Sequence, residues 1–586
     1  MSEKGGQKSG GQLSDWLENF WLAAGAVCVG VVVITLFCCG EYPERLADNR
    51  FLMLFVLVFF LSGGILYWIA CGKESKVRIF RHPFLLLTGV YMLLYIVQLI
   101  WVSRVYFYSG WEVVNMRECV EWVVNGNTMQ DFSIDVKYSI FPNNLLLFYL
   151  LCLIEKLGML FSMETPYNLC IYFSCLCVNL SCFLGNLVIR RLTGSHAVRG
   201  FYTLISTVFI LFSPWIMIPY SDTFGMLFAM LGIWGLVCAD QRYLKWGVVA
   251  FAASVGCQIK PTCIFPLFAA YIVYGVRYLL KLREHWRELC ALALGTLAFG
   301  CICILIPLWI QHTYSFRLLP HCKMTYTHFL MMGINEETSG MFCIDDFMYS
   351  LDFPDVETRE QANRELYASR LGMLCEEKRL GKFIQSKALV NFNDGTFAWN
   401  GEGGFFFTQV GHDNALWRFF LDTMVPPDTW ENEGRYYLLY RTEMQVLWLL
   451  VLTGIMFAGF DRKNCLTQKA CLMIILCGLM AFVMIFEARA RYLFLYAPAF
   501  LVLSLSGYES VWTRIRVVFA DREKSGKDQS LIRCRPGSGD GIRTIDSRKS
   551  SEQRIRQEMN RRRRRRSRED SKSPLNIRFP SAMIEW

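Results

Sequence analysis

The stretch NLLLFYLLCLIEKLGMLF, at residues 144–161, decides how the rest of the chain is arranged. It is apolar and long enough to resemble a transmembrane helix, yet Glu155 and Lys156 lie near its middle. Charged side chains are costly near the centre of a bilayer. We therefore predict that 144–161 is a helix lying along the exterior membrane interface without crossing it.

The composition around this stretch is typical of a multi-span membrane protein. Of 586 residues, 54% are hydrophobic and 19% are charged, and the mean hydropathy is +0.30. Soluble domains carry about 25% charged residues. The apolar residues occur in blocks about 20 residues long, enough to cross a bilayer as helices. A soluble enzyme, a disordered scaffold and a disulfide-rich secreted module are excluded.

These blocks predict twelve transmembrane helices. They are 20–40, 51–71, 84–103, 168–190, 199–218, 222–239, 246–258, 262–280, 287–309, 442–460, 468–486 and 492–510.

The distribution of positive charge supports leaving 144–161 out of this count. Cytoplasmic loops are enriched in Lys and Arg. Five basic loops all fall on one face of the membrane only if 144–161 does not cross it. Their Lys and Arg residues are, loop by loop, Lys73, Lys76, Arg78 and Arg81; Arg190, Arg191 and Arg199; Arg242 and Lys245; Lys281, Arg283 and Arg287; and Arg462, Lys463 and Lys469. Both termini are then cytoplasmic, in a protein of the plasma membrane.

The expected fold class is an all-α polytopic membrane protein with interfacial helices in its first large exterior loop. The segment 311–441 holds 12 Lys/Arg and 18 Asp/Glu, a net charge of −6 that suits an exterior domain. The predicted organisation is a disordered N-terminus at 1–19, a membrane core at 20–310 with an exterior loop at 106–166, the exterior domain, C-terminal membrane helices at 442–510, and a basic disordered tail at 511–586.

The tail carries the positive charge of the protein. Residues 512–586 contain 21 Lys/Arg and 10 Asp/Glu, a net +11, so the remaining residues sum to −1. Six consecutive arginines, 561–566, favour binding to anionic membrane lipids. Few aromatic residues accompany them, so we expect no nucleic-acid partner.

Ionisable residues at the exterior ends of membrane helices are candidates for function. Glu112 follows the third predicted span, where a carboxylate suits a general base; a solvated loop acid is the alternative. Asp131 and Asp135, in the same loop, are substitutes for that role.

Three cations lie on the exterior side against the charge trend. They are Lys260, Arg489 and Arg491. A ligand phosphate accounts for them, since ammonium and guanidinium groups bind phosphate oxygens; a snorkelling lysine and salt bridges to loop acids are the alternatives. We expect the three within about 10 Å of one another, the range over which exposed charges act at about 0.1 M salt. Supporting polar residues are Asp222, Glu487 and Tyr492, with Asp131 and Asp135.

Taken together, these motifs resemble the GT-C superfamily of membrane glycosyltransferases, in its protein O-mannosyltransferase and aminoarabinose-transferase-like branch. The likeness covers roughly 84–310 and 442–510. The motifs occur in the order Glu112, Phe141-Pro142-Asn143-Asn144, Arg190-Arg191-Leu192-Thr193-Gly194, Ser213-Pro214, Ser221-Asp222, Lys260-Pro261-Thr262 and Arg489-Ala490-Arg491-Tyr492 with Pro498 beyond. Two positions depart from the family: Glu112 stands where an Asp is usual, and Pro142-Asn143 where Pro-Pro is usual.

The exterior segment adds a narrower likeness. Residues 327–335 and 393–399, which include His328, Asn335 and Asp394, look like motifs of uncharacterised Gram-positive members. Such members are usually predicted to glycosylate cell-surface material, so these residues are candidates for the acceptor side.

The resemblance implies transfer of a sugar from a polyprenyl-phosphate-linked donor to an acceptor hydroxyl at the exterior face, with inversion. The donor phosphate is then held by the three cations, and Glu112 is the base. The acceptor is a protein, lipid or glycan of the cell envelope. No cofactor is implied with certainty, and the use of a divalent metal stays open.

Other function classes remain alternatives. A transporter or flippase of lipid-linked sugars places ionisable groups along a mid-membrane path, whereas the charges here are at the exterior ends. A glycan polymerase or ligase and an inactive membrane scaffold are two further readings.

The predicted topology is tested by cysteine-accessibility labelling of the turn 193–196. With 144–161 outside the membrane core, cysteines placed in this turn react only from the cytoplasmic side. Labelling from the exterior contradicts the assignment.

Overall fold

The helical architecture follows directly from the apolar blocks. Lipid offers no hydrogen bonds, so a spanning segment must pair its own backbone groups, as a helix does. A computed structural model describes residues 3–38, 49–74, 83–130, 133–408, 412–427, 433–460 and 465–533.

The first half of the chain contains thirteen α-helices in the described residues, besides short 3-10 and π helices. They are α1 (Glu3–Cys38), α2 (Asn49–Glu74), α3 (Pro83–Val105), α4 (Trp111–Val124), α5 (Ile134–Ile140), α6 (Leu145–Leu160), α7 (Asn168–Thr193), α8 (His196–Ser206), α9 (Ser221–Cys238), α10 (Arg242–Cys257), α11 (Phe265–Ala269), α12 (Val276–Leu280) and α13 (Leu282–Thr313).

The second half of the described chain adds ten. They are α14 (Tyr326–Met332), α15 (Ile344–Leu351), α16 (Val356–Glu376), α17 (Leu380–Phe392), α18 (Trp399–Phe406), α19 (Ala415–Met424), α20 (Tyr437–Ala458), α21 (Leu466–Ile485), α22 (Arg491–Phe494) and α23 (Ala497–Arg533). Two two-residue strands, β1 (Tyr108–Ser109) and β2 (Phe407–Thr408), pair antiparallel.

Ten helical segments of the described chain are long and apolar enough to cross a membrane. They are Leu13–Cys38, Asn49–Cys71, Phe84–Val105, Pro142–Leu160, Asn168–Thr193, Ser221–Cys238, Pro261–Leu280, Leu282–Thr313, Tyr437–Ala458 and Leu466–Ile485. Nine coincide with predicted spans. The other three predicted spans fall on the shorter apolar segment His196–Leu211, on α10, and on the beginning of α23. The prediction of an all-α polytopic membrane protein is confirmed.

Contacts between helices define one end of the bundle. The Tyr108 hydroxyl, after α3, donates to Asn168 Oδ1 at the start of α7 at 2.9 Å. Helix α9 runs parallel to α7. Ser174, near the start of α7, donates to the Ile216 carbonyl just before α9 begins, and Cys238, at the end of α9, contacts the Leu187 carbonyl near the end of α7. The start of α9 packs beside the end of α10, where Gly225 meets Lys260. The end where α3 finishes and α7 and α9 begin is called the site end.

The helix α13 also finishes at the site end. It runs parallel to α10, because Gly295 faces Trp246 while the sulfurs of Cys257 and Cys303 lie 3.8 Å apart. This matters for α6, the helix formed by the predicted interfacial stretch.

Both ends of α6 are near the site end. Phe148, in its first turn, packs against Tyr314 just after α13, with ring centroids 5.8 Å apart. Gly158, in its last turn, lies against Pro166, two residues before α7 begins. A helix through the bundle has its ends at opposite sides, so these contacts support the prediction that α6 lies across the end of the bundle, although its length and composition also suit a span.

The opposite end of the bundle is called the basic end. There Arg191 pairs with Asp240 at 2.7 Å, and Arg277 bonds Glu18 at 3.0 Å. Several of the loops whose positive charge set the predicted topology lie here, while residues 75–82 and 461–464 are outside the described residues.

Residues 1–516 form one compact unit, which includes the predicted exterior domain. The second unit, 517–586, is described only to Arg533, so the arginine run 561–566 lies outside the described residues. Helix α1 begins at Glu3, within the N-terminal segment predicted to be disordered.

Close approach between α20 and α23 depends on two glycines. A Cβ on Gly507 would lie 2.0 Å from the Gly454 carbonyl oxygen, and one on Gly454 would lie 2.1 Å from Ser504 Oγ. Small residues let membrane helices pack backbone to backbone, where dispersion replaces the hydrophobic effect as the attraction.

We expect Gly507→Ala to lower the free energy of unfolding by about 1–3 kcal/mol, the usual cost of overpacking. Thermal unfolding in detergent measures it. Gly247→Ala is the matched control, because nothing lies within 4 Å of its Cβ position. Equal stability of the two variants contradicts the packing assignment.

Candidate functional site

A buried ion cluster joins three separate parts of the chain at the site end. The ammonium of Lys260 pairs with Asp222, and Arg491 Nε lies 3.4 Å from the second Asp222 oxygen. Lys260, Asp222 and Arg491 are 8%, 4% and 4% exposed. Two of the three predicted exterior cations are thereby brought together around one carboxylate.

Local sequence places these three side chains. Tyr220 and Thr223 form a reciprocal cap that begins α9 at Ser221, so Asp222 lies in a first turn, where a helix dipole favours an acid. Pro261 begins a 3-10 helix, which leaves Lys260 extended directly before it. Arg491 is the first residue of α22.

Aromatic rings enclose the cluster. The Lys260 ammonium lies 4.3 Å from the centre of the Tyr492 ring. The Arg491 guanidinium is 5.7 Å from the ring centres of both Trp215 and Tyr220. Cations over ring faces gain more when desolvated, so the rings help to hold two positive charges away from water.

The electrostatics of the cluster suit an anionic ligand. Burial lowers the pKa of Lys260, and Asp222 acts in the opposite direction by stabilising the ammonium. Two cations around one carboxylate leave one positive charge in excess among these three side chains. Charge–charge interactions are strong in such a low-dielectric setting.

Arg489 takes a different direction from Lys260 and Arg491. Its Nε lies 2.8 Å from Glu402 and its Nη1 3.9 Å from Glu487. Tyr492 donates to Glu487 at 2.9 Å. The predicted set of three cations is therefore divided, with Arg489 between two carboxylates and joined to the cluster through Tyr492.

Glu112 lies in the first turn of α4 and lines a cavity of about 770 Å³. Its Oε2 is buried and has no hydrogen-bond partner among the residues that the structure describes. The cavity wall also includes Asn115, Lys137, Phe141 and Phe347. A buried carboxylate oxygen without a donor is poised to accept a proton or hydrogen bond from a ligand.

Tyr220 lies beside Arg491 of the ion cluster and is also affected by the charge of Glu112. Burial raises the pKa of Tyr220, the charges of Glu112 and Asp222 raise it further, and Arg491 lowers it. Tyr220 therefore lies within electrostatic reach of the candidate base on one side and of the cluster on the other.

The other two predicted loop acids are Asp135 and Asp131. Asp135 accepts from the backbone N–H of Val136 at 2.8 Å, a local turn contact. Asp131 lies outside the described residues.

The predicted acceptor residues occupy structural positions in the segment 311–441. His328 Nδ1 bonds Ser350 at 2.8 Å, and burial lowers the pKa of His328 to about 4. Asn335 donates to Asp346 at 3.0 Å. Asp394 accepts from the backbone of Thr396 and Ala398 and so fixes the loop after α17. These contacts do not bring the three residues to the ion cluster.

Sequence reasoning missed several residues of the site. The carboxylate of Glu402 pairs with Arg489, but nothing in the sequence around Glu402, a Gly-rich run, indicated this role. Trp215 directly follows the Ser213-Pro214 motif, but the motif did not indicate that its ring would lie beside Arg491. Among the described residues, no group of three or more His, Cys, Asp or Glu side chains is placed to hold a metal ion.

The model of one protein family, described as conserved hypothetical integral membrane protein, matches residues 44–512, and the chain belongs to this family. No curated protein matches the chain. Among solved structures, it is similar to the archaeal oligosaccharyltransferase AglB from Archaeoglobus fulgidus, solved in complex with an inhibitory peptide and a dolichol-phosphate. The identity is 11% and the TM-score 0.33; the match covers 77% of this chain and 52% of that one, so the chain spans about half the length of that structure.

We expect Asp222→Asn to lower the free energy of unfolding by about 3–5 kcal/mol, because it leaves two buried cations without their carboxylate. Glu433→Gln is the control, since its pair with Arg435 is exposed and such pairs contribute about 0–1 kcal/mol. Denaturation in detergent compares them. Similar losses in both variants contradict a buried cluster.

Proposed function

We propose that this integral membrane protein is a glycosyltransferase that moves a sugar from a polyprenyl-phosphate-linked donor to an acceptor hydroxyl. One observation carries the proposal: the half-buried Glu112 has a buried carboxylate oxygen, Oε2, without a hydrogen-bond partner among the described residues, and its charge acts on Tyr220, whose ring lies beside Arg491 of the buried cationic cluster. The order of the sequence motifs, which resembles GT-C glycosyltransferases, supports the same reaction.

The ion cluster suits the leaving group. A phosphate that departs from a sugar gains negative charge, which fixed cations in a low-dielectric site stabilise. Lys260 and Arg491 supply this charge, and Asp222 holds them in place until the donor phosphate competes for them. Arg489, two residues before Arg491, provides a third cation when an anion releases it in part from Glu402 or Glu487.

Glu112 suits the base. An acceptor hydroxyl in the 770 Å³ cavity donates its proton to Glu112 as its oxygen attacks the anomeric carbon. The new carbon–oxygen bond forms as the bond from the anomeric carbon to phosphate oxygen breaks. The polyprenyl phosphate keeps that electron pair, and direct displacement inverts the anomeric configuration.

The proposal includes the location of the reaction. The site end is the exterior face of the plasma membrane, and the basic end, with both termini, is cytoplasmic. The positive-inside distribution supports this orientation, because Arg191 and Arg277 are at the basic end.

Glu112→Gln keeps the size of the side chain but removes the proton acceptor. We expect sugar transfer from a synthetic polyprenyl-phosphate sugar to fall by about 10²–10⁴-fold, the usual effect of removing a general base. Donor binding stays intact, because Lys260 and Arg491 are unchanged. Glu112→Asp, one methylene shorter, retains partial activity.

Glu164→Gln is the matched control, because Glu164 is an exposed acid of the same loop. Full transfer by Glu112→Gln removes Glu112 from the mechanism. Absence of both transfer and donor hydrolysis in the wild-type protein, with donor translocation across vesicles instead, favours the transporter.

A further inference from the structure

We propose that Lys387 and Asn391, one turn apart on α17, are positioning residues that hold the turn 486–491 and so orient Arg489 and Arg491. That the turn positions a donor phosphate rests on the proposed function. The attachment of Lys387 and Asn391 to the turn, here called the clamp, rests on contacts alone. The exterior segment thereby becomes part of the site, because α17 belongs to it.

Asn391 holds the turn from both sides. Its side-chain N–H donates to the Val483 carbonyl at 3.0 Å, in the last turn of α21. Its Oδ1 accepts from the backbone N–H of Arg489 at 2.9 Å. The side chain is fully buried. One carboxamide therefore fixes the distance between the end of α21 and the backbone of Arg489.

Lys387 holds the middle of the turn. Its ammonium donates to the carbonyl of Phe486 at 2.7 Å and to the carbonyl of Gly333. Phe486 follows the end of α21 and Gly333 follows the end of α14, so one cation binds the C-terminal ends of two helices. Such ends present unpaired carbonyls and partial negative charge.

A packing role alone does not account for an ammonium at this position. Lys387 is 1% exposed, and burying a charge is costly unless it is paired and hydrogen-bonded. Burial lowers its pKa to about 8, against the opposite effect of Glu487. At neutral pH the ammonium is still charged, and both bonds are charge-assisted.

The backbone of the exterior segment adds a third bond to the same turn. The Ala488 N–H donates to the Gly340 carbonyl at 2.7 Å. A Cβ on Gly340 would lie 3.0 Å from Lys387 Nζ, so the segment 333–340 and the turn approach closely around this lysine. Residues 486, 488 and 489 are each held from the exterior segment, which leaves the turn little freedom.

The test compares Lys387→Met with Lys382→Met in the full-length protein. Both lysines are on α17, and Lys382 is exposed. Hydrogen exchange in lipid nanodiscs reads the clamp without reference to activity. We expect the amides of Ala488 and Arg489 to exchange at least about tenfold faster in Lys387→Met than in the wild type, and unchanged in Lys382→Met.

The second readout is steady-state transfer with a synthetic polyprenyl-phosphate sugar, well below the unfolding temperature of each variant. Misplacing a binding group by about 1 Å can cost about 10²-fold, so we expect kcat/KM for the donor to fall by about 10–100-fold in Lys387→Met. The KM for the acceptor stays within about twofold, because the cavity beside Glu112 is untouched. If Lys387 has a structural role only, Lys387→Met lowers thermal stability but does not lower kcat/KM for the donor while leaving KM for the acceptor unchanged.

The outcomes are distinguishable. If the wild-type protein transfers no sugar, the proposed function fails while the exchange experiment still decides the clamp. If Lys387→Met does not fold, Asn391→Ala, which keeps the lysine, carries the same two measurements. Unchanged exchange at Ala488 and Arg489, or loss of folding in both variants while Lys382→Met folds, overturns the proposal.

Discussion

One buried carboxylate organises the site end of the molecule. Asp222 binds Lys260 and Arg491, which are 38 and 269 residues away in sequence, and so joins the beginning of α9, the end of α10 and the beginning of α22. Taking three charges out of water is costly, and the loss is offset only while all three stay together. The positions of these helix ends are therefore tied to one another by electrostatics as well as by packing.

The same constraint explains the surroundings of the cluster. The rings of Tyr492, Trp215 and Tyr220 lie around the cations, where water would otherwise enter. Beyond Tyr492, the acids Glu487 and Glu402 neutralise Arg489. Positive and negative side chains alternate through this region, so each of the three cations already has a carboxylate partner.

Much of the fold followed from the sequence, because lipid leaves a spanning segment few conformations. Apolar blocks predicted the helices, and loop charge led to the prediction that α6 lies along the interface, which its contacts at both ends support. Lys260 and Arg491 stood out because they oppose the charge trend. Their pairing with Asp222, 38 and 269 residues away in sequence, required the fold.

The rest of the site depends on contacts that have no local signature. Arg489 has the same sequence context as Arg491, two residues on, yet faces Glu402, 87 residues earlier. Lys387 resembles any lysine of an acidic, soluble-looking segment, and only the meeting of two helix ends makes it unusual. Asp131, which the sequence offered as a substitute base, lies outside the described residues.

The loop after α17 has a consequence for the history of the protein. Asn393 bonds Asn49 at the start of α2, Gly395 bonds Gln445 in α20, and the Thr396 carbonyl accepts from Trp215. A segment attached this way cannot be exchanged piece by piece between homologues without losing these contacts. Recombination within the segment breaks contacts to three distant helices at once, so its residues and their membrane partners are expected to be inherited together.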